Sequence, residues 1–302
     1  MMSEYHLPVM PTETIDALEI KPNGVYVDVT FGGGGHSRLI LEKLGTKGRL
    51  FVMDQDLDVI QNIPNDDRVT FIHSNFRYLK RMLRVEKIFE VDGILADIGV
   101  SSHQFDSSSR GFSFRFEGEL DMRMNRELEK TAADIIMTYE EDALVEMFST
   151  MGEVRNSKTL ARLIVENRRK SKIRTIEEFV HLIQPAIMGS KPKYLAQVFQ
   201  ALRIEVNDEL KALEDLLYDA YEVLKPGGIV AVITFHSLED RIVKNFFKTG
   251  NPEGMVEQDD YGKIFRPFKV INKKPIEPGF DEIKTNNRAR SAKLRVAMKI
   301  GE

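Results

Sequence analysis

Apolar runs and amphipathic runs alternate along the first hundred residues. VYVDVTF (25–31) is a short β-rich apolar run, and HSRLILEKLG (36–45) repeats apolar residues at helical spacing until Gly45 closes it. GRLFVMDQD (48–56) predicts a second strand ending in acids, and LDVIQNI (57–63) a helix stopped by Pro64. RVTFIHSNF (68–76) predicts a third strand followed by a helix over FRYLKRMLRV, and VDGILADIGVSS (91–102) a fourth strand. Alternation of this kind predicts a parallel sheet with right-handed crossovers.

The rhythm breaks over 106–205. TAADIIMTY, EDALVEMFSTMG, KTLARLIVENRRK, IEEFVHLIQPAIM and YLAQVFQALRI all carry helical spacing, which predicts an inserted helical domain. The β/α pattern returns at 209–237, as a long helix, a Pro226-Gly227-Gly228 turn and a fifth strand. KVINKKPI and AKLRVAMKI predict two last strands. The expected architecture is an α/β, Rossmann-like, mostly parallel sheet built from 1–105 and 206–302, with an all-helical insertion at 106–205.

Composition narrows the chemistry. There is no cysteine, so a thiolate nucleophile, a Cys-ligated iron–sulfur cluster and a Cys-based zinc site are excluded. The six histidines show no HxH or HExxH spacing, and no metal site is expected. No basic start followed by an apolar stretch marks a signal peptide, and no apolar run approaches the ~20 residues of a membrane helix. A cytoplasmic protein without a membrane partner is expected. The net charge of −4 argues against a uniformly basic nucleic-acid binder. Locally, however, 155–174 holds eight Lys/Arg against Glu166, and 263–295 holds ten against three acids. Such runs occur as plain solvated faces, but two of them in an acidic chain point to a polyanion contacted at defined places.

The chemistry-bearing stretch is VDVTFGGGGHSR. Glycines between a first strand and a first helix let a ligand approach backbone N–H groups at the helix N-terminus. A P-loop is ruled out because no GK[ST] follows. A dinucleotide GxGxxG would place Ser37 where the third glycine belongs. Asp28 inside strand one and Asp54 at the end of strand two suit a ribose-bearing cofactor, either NAD or S-adenosyl-L-methionine. LKPGG before the fifth strand, with two terminal strands instead of a second mononucleotide half, is the class I methyltransferase pattern.

Together VDVTFGGGGHSR, HSNF, DIGVSSHQFD, RGFSF, LDMRM, FQALRIEVNDEL, VITFHSLEDR and NNRARSAKLR resemble the 16S ribosomal RNA (cytosine-N4)-methyltransferase family, RsmH/MraW. The matches run in order from HLPVM to AKLR. One stretch departs from the family: KPKYLAQV stands where a His-Pro-Ala-type segment usually precedes FQALRI. The resemblance implies methylation of a cytosine N4 near the decoding centre of the small ribosomal subunit. It also implies that Gly34, Gly35 and His36 line the methionine end of S-adenosylmethionine. Asp54 would then hold the ribose, Phe76 flank the adenine, and Asp97 with Gln104 close the pocket near the methyl group.

The missing cysteine independently disfavours cytosine C5 as acceptor, since that chemistry uses a thiolate attacking C6. An N4 amine is a poor nucleophile and needs an acceptor aimed at its protons. Asp97, at the end of strand four, is the first candidate. His103 and His236 are candidate proton acceptors or base-edge readers. Arg155, Lys158, Arg162, Arg168, Arg169 and Lys170 are expected to grip RNA phosphates. The rings of RGFSFRF (110–116) suit base stacking, although packing is the commoner fate of such side chains. Rival functions are methylation of a protein or small molecule, a non-catalytic ribosome-binding factor and, more distantly, a nicotinamide dehydrogenase.

Overall fold

The computed structural model describes residues 8–258, 261–262 and 264–301, so His6, Leu7 and Lys263 lie outside the described residues. The chain divides into two compact units, Met1–Gly99 with Leu210–Glu302, and Val100–Glu209. The division falls after the fourth strand and after the helix Lys191–Asn207, a few residues outside 106–205.

The first unit carries a seven-stranded sheet. Its strands are β1 (Val25–Asp28), β2 (Arg49–Asp54), β3 (Val69–His73), β4 (Val91–Asp97), β5 (Leu224–Thr234), β6 (Phe268–Val270) and β7 (Lys293–Lys299). Their spatial order is β3-β2-β1-β4-β5-β7-β6. The first five are parallel, and β7 runs antiparallel to both its neighbours. Side chains alternate between two apolar layers: Phe51 and Met53 enter one, Leu50 and Val52 the other. Burial on both faces explains why these strands read as continuous apolar runs.

Three local departures from the sequence pattern have physical causes. LDVIQN forms a 3₁₀ helix, Leu57–Asn62, started by Asp56 accepting the Asp58 N–H at 3.1 Å. Pro226-Gly227-Gly228 lies within β5 as a bulge. Leu224 pairs with Val91 and Ile229 with Gly93, looping out 225–228 with Gly227 at φ 77°. The strand over KVINKKPI stops at Val270, and the Asn272 amide then continues the ladder. It donates to the Leu294 carbonyl at 2.8 Å and accepts the Val296 N–H at 2.7 Å.

The second unit packs helices Ala132–Thr138, Glu141–Thr150, Ser157–Arg168, Ile176–Ile183 and Lys191–Asn207 around its own core, including Phe148, Leu160, Phe179 and Leu202. Thr131 with Asp134, and Thr175 with Glu178, form capping boxes that fix where two of these helices begin. KPKYLAQV supplies the first turns of the last helix. Tyr194 and Leu195 face the core, and the Tyr194 hydroxyl donates to Asn156 at 3.1 Å.

Candidate active site

The order of strands reverses between β1 and β4, and the carboxyl ends there form the crevice where open α/β sheets bind ligands. Asp28, Asp54 and Asp97 are the last residues of β1, β2 and β4. Parallel register therefore brings three carboxylates to one edge.

The glycine turn follows β1. Gly34 caps the helix Gly35–Lys43 in the left-handed region, at φ 73°. A Cβ there would approach the Phe31 ring to 2.8 Å, so only glycine fits. The turn is braced from outside. Arg38 donates to the carbonyls of Gly33 (2.7 Å) and Asn62 (3.0 Å), and the Asn62 amide donates to that of Gly32 (3.0 Å). Asp54 ties the turn to β2 by accepting the Gly32 N–H at 2.8 Å on Oδ2. Its Oδ1 accepts the Asp56 N–H at 2.9 Å. Burial raises the Asp54 pKa to about 6 against these two bonds.

Asp28 is 1% exposed and accepts the Ser37 hydroxyl at 2.6 Å and the Thr30 N–H at 3.2 Å. Burial shifts its pKa upward. Thr30 also accepts the Asp97 backbone N–H at 2.6 Å, linking the ends of β1 and β4.

Asp97 is the least satisfied of the three. Its Oδ1 is buried without a hydrogen-bond partner among the described residues. Its Oδ2 lies 3.8 Å from His36 Nδ1. Burial raises its pKa to about 6; His36 opposes the shift, and the carboxylates of Asp28 and Glu239 add to it. His36 is itself buried, with Nε2 2.9 Å from the Val9 carbonyl. A carbonyl only accepts, so Nε2 carries hydrogen and Nδ1 is left facing Asp97. Thr30, Val9 and Glu239 were not singled out from sequence, and Ser37 only as a mismatch to the dinucleotide pattern. Thr30, two residues after Asp28, did carry the Asx-turn spacing that could have marked it.

Phe76 begins a 3₁₀ turn after β3 and is half-buried against the sheet. Gln104 and His103 belong to the second unit. Gln104 is buried and accepts the Ser101 N–H at 3.1 Å in a capping box, while His103 is exposed on the same short helix. His236 caps the helix Ser237–Thr249. Its Nδ1 accepts the Glu239 N–H at 3.4 Å and its Nε2 lies 3.0 Å from Glu239 Oε1, so both ring nitrogens face one residue. Arg155, Lys158, Arg162, Arg169 and Lys170 are exposed. Arg168 differs, because its guanidinium donates to the carbonyls of Ile136 (2.9 Å) and Tyr139 (2.6 Å) and finishes the helix Ala132–Thr138. Of the RGFSFRF rings, Phe112 is core and Phe114 packs edge-on to Phe199 at 5.5 Å, which leaves Phe116 facing solvent.

A crevice walled by three carboxylates repels a dinucleotide's pyrophosphate and suits a cationic ligand bearing hydroxyl donors. The sulfonium, amino group and ribose diol of S-adenosylmethionine meet that description, and Asp97 has an oxygen still to be satisfied. Among the described residues, no helix is long and apolar enough to cross a membrane. The sheet order, with β7 inserted antiparallel between β5 and β6, and the acidic crevice define a class I S-adenosylmethionine-dependent methyltransferase. More narrowly, a model of the MraW methylase family matches residues 3–300, and the chain belongs to that family. It is 57% identical over 296 residues to a Bacteroides fragilis protein named Ribosomal RNA small subunit methyltransferase H, covering 98% of this chain and 97% of that one. Relatives of the same name from Parabacteroides distasonis (54% over 298 residues) and Flavobacterium johnsoniae (52% over 298 residues) are covered to 98% on both sides.

Proposed function

We propose that this methyltransferase acts on the exocyclic N4 amine of a cytosine in 16S rRNA, near the decoding centre of the small ribosomal subunit, in the cytoplasm. The name shared by the relatives supports the RNA substrate, and the motifs shared with the RsmH/MraW family support the N4 position. The single observation that carries the chemistry is Asp97, a carboxylate at the reversal of strand order with one buried oxygen to satisfy.

S-adenosylmethionine, when bound, supplies a methyl group activated by its sulfonium. Gly34, Gly35 and His36 would hold its methionine end, Asp54 its ribose hydroxyls and Phe76 its adenine; the family resemblance assigns Gln104 to the same cofactor. Asp97 accepts a hydrogen bond from the N4 amine, which draws lone-pair density out of conjugation with the ring and holds the nitrogen in line for transfer. As the new N–C bond forms, Asp97 takes up the proton that N4 releases. A carboxyl whose pKa lies near 6 is matched to that task close to neutral pH. His103 and His236 are secondary proton acceptors in this reading, although the Glu239 N–H that His236 Nδ1 accepts favours a capping role.

A cytosine in folded RNA must be unstacked to enter the crevice, at about a few kcal/mol. Exposed Arg155, Lys158, Arg162, Arg169 and Lys170 on the helical unit would supply phosphate contacts that offset this cost. Arg168 joins them only if it gives up its bonds to Ile136 and Tyr139.

The test uses small ribosomal subunits from cells lacking the enzyme. They are incubated with the purified chain and S-adenosylmethionine, and the digested RNA is examined by mass spectrometry. N4-methylcytidine at one site, missing with Asp97→Ala, is the expected result. No new methyl group on RNA, despite measurable cofactor binding, would move the acceptor elsewhere.

A further inference from the structure

The C-terminal basic segment has no role in the reaction described so far. Because β7 is antiparallel, it starts where β5 ends, with Lys293 opposite Thr234. The residues leading into β7 therefore lie along the carboxyl edge of the sheet, the edge that holds Asp28, Asp54 and Asp97. Ile276 bridges back to Leu294, which places 271–276 at the same edge.

Within this stretch the short helix Phe280–Thr285 is anchored beside the site. Glu282 Oε1 accepts the Met10 N–H at 2.7 Å, and the adjoining Val9 carbonyl is the group that orients His36. Ala289 and Ala292 share an apolar cluster with Val9, Met10 and Phe31. What faces outward is of another kind. Phe280 is 81% exposed on this anchored helix. Lys273, Lys274, Lys284 and Arg290 are exposed and have no acidic partner among the described residues. Glu277 and Asp281 are the opposing exposed charges, since Glu282 turns inward.

Single-stranded nucleic acid is bound by cations that follow its backbone and by aromatic faces on which bases stack. An exposed phenylalanine on a helix tied to Met10 by a half-buried hydrogen bond, among unpaired cations, at the ligand-binding edge of the sheet, has both elements. We infer that this face binds RNA directly. Phe280 stacks on a nucleotide flanking the target base, and Lys273, Lys274, Lys284 and Arg290 take the neighbouring phosphates. The inference rests on the RNA substrate proposed above. It adds an RNA-binding surface on the catalytic unit, separate from the cations of the helical unit.

The probe is a protein-free transcript of small-subunit RNA, titrated with the full chain across a range of salt. Phe280→Ala should weaken binding about tenfold or more and leave the salt slope unchanged. Phe280→Trp should restore binding. Lys284→Ala with Arg290→Ala should weaken binding and reduce the slope of log K against log salt by about one per cation lost. Cofactor affinity, read by calorimetry, should match wild type in every variant. Wild-type affinity and slope in these variants would overturn the inference. So would unchanged transcript binding with weakened binding to intact subunits, because the partner of this face would then be a protein. If wild type binds the transcript through this face yet methylates no RNA, the proposed reaction fails and the surface assignment stands.

Discussion

Replacing Asp97 with asparagine should abolish methyl transfer and at the same time make the catalytic unit more stable. The carboxyl has an ordinary pKa of 3.8 and one of about 6 in the fold. A raised pKa means the folded chain holds the proton more tightly than the unfolded chain does. Asp97 therefore costs nothing below about pH 3.8, and its cost grows as pH rises to about 6 and is constant above. That difference in proton affinity corresponds to about 3 kcal/mol at pH 8 and to less than about 1 kcal/mol at pH 4. Partial exposure of the side chain, 24%, brings the expected gain at pH 8 to about 2 kcal/mol. With two compact units, a whole-molecule melt need not be two-state. The assay is therefore amide exchange of the Val91–Asp97 peptide in graded urea, corrected for intrinsic rates, at about pH 8 and about pH 4. Asp97→Asn should be more protected than wild type at the higher pH and nearly equal to it at the lower. A variant less stable at the higher pH, or a gain equal at both, would refute the claim that an uncompensated carboxylate is held in this crevice.

Four further substitutions test particular contacts. His36→Asn removes the group that lowers the Asp97 pKa, so the acidic limb of the kcat/KM profile should move upward from about pH 6; a limb left in place would refute the electrostatic coupling of His36 to Asp97. Gly34→Ala, strained at φ 73° and crowded against Phe31, should weaken cofactor binding by about tenfold, for a backbone cost of about 1–2 kcal/mol; calorimetric affinity equal to wild type would count against the turn as the binding element. Arg168→Ala should destabilise the helical unit by about 1–3 kcal/mol through loss of its two carbonyl bonds. Arg162→Ala, at a side chain 69% exposed, should leave stability unchanged and weaken RNA binding; thermal melts and filter binding separate the two.

The frame of the catalytic unit was readable because its determinants are local. LFVM and IVAVI are apolar on every residue, as strands buried on both faces must be, and the acids that end β1, β2 and β4 were visible as breaks in those runs. What those acids touch was not readable. That Asp28 and Asp54 have hydrogen-bond donors while Asp97 keeps an orphaned oxygen depends on Ser37 and Gly32, which the glycine turn and the β1–β2 pairing bring near; only Thr30, two residues from Asp28, was within reach of a sequence rule. Arg168 shows the opposite failure. Its place in a basic run suggested a phosphate contact, but the open C-terminus of Ala132–Thr138 took its guanidinium instead. Charge counting detects a cation without revealing whether a carbonyl already holds it. The histidines were ambiguous for the same reason: His36 and His236 both follow strands, and only the structure distinguishes a ring facing Asp97 from a ring capping a helix.

The interruption of the catalytic unit between β4 and β5 bears on how the enzyme comes into being. Pairing β4 (ending at Asp97) with β5 (starting at Leu224) closes a loop of about 130 residues, at an entropic cost on the order of 4 kcal/mol for a flexible chain. β1, β2, β3 and β4 can associate as soon as they leave the ribosome, but the strand that flanks Asp97 on its other side is made only after Val100–Glu209. During synthesis the nascent chain thus has its glycine turn and the Asp28 and Asp54 carboxylates before the strand on the far side of Asp97 exists. A chain released early, anywhere before Leu224, would carry half a cofactor site and no completed crevice. Methylating activity is therefore expected only from chains that extend through β5 and β7, so an early-released copy is inert from the outset.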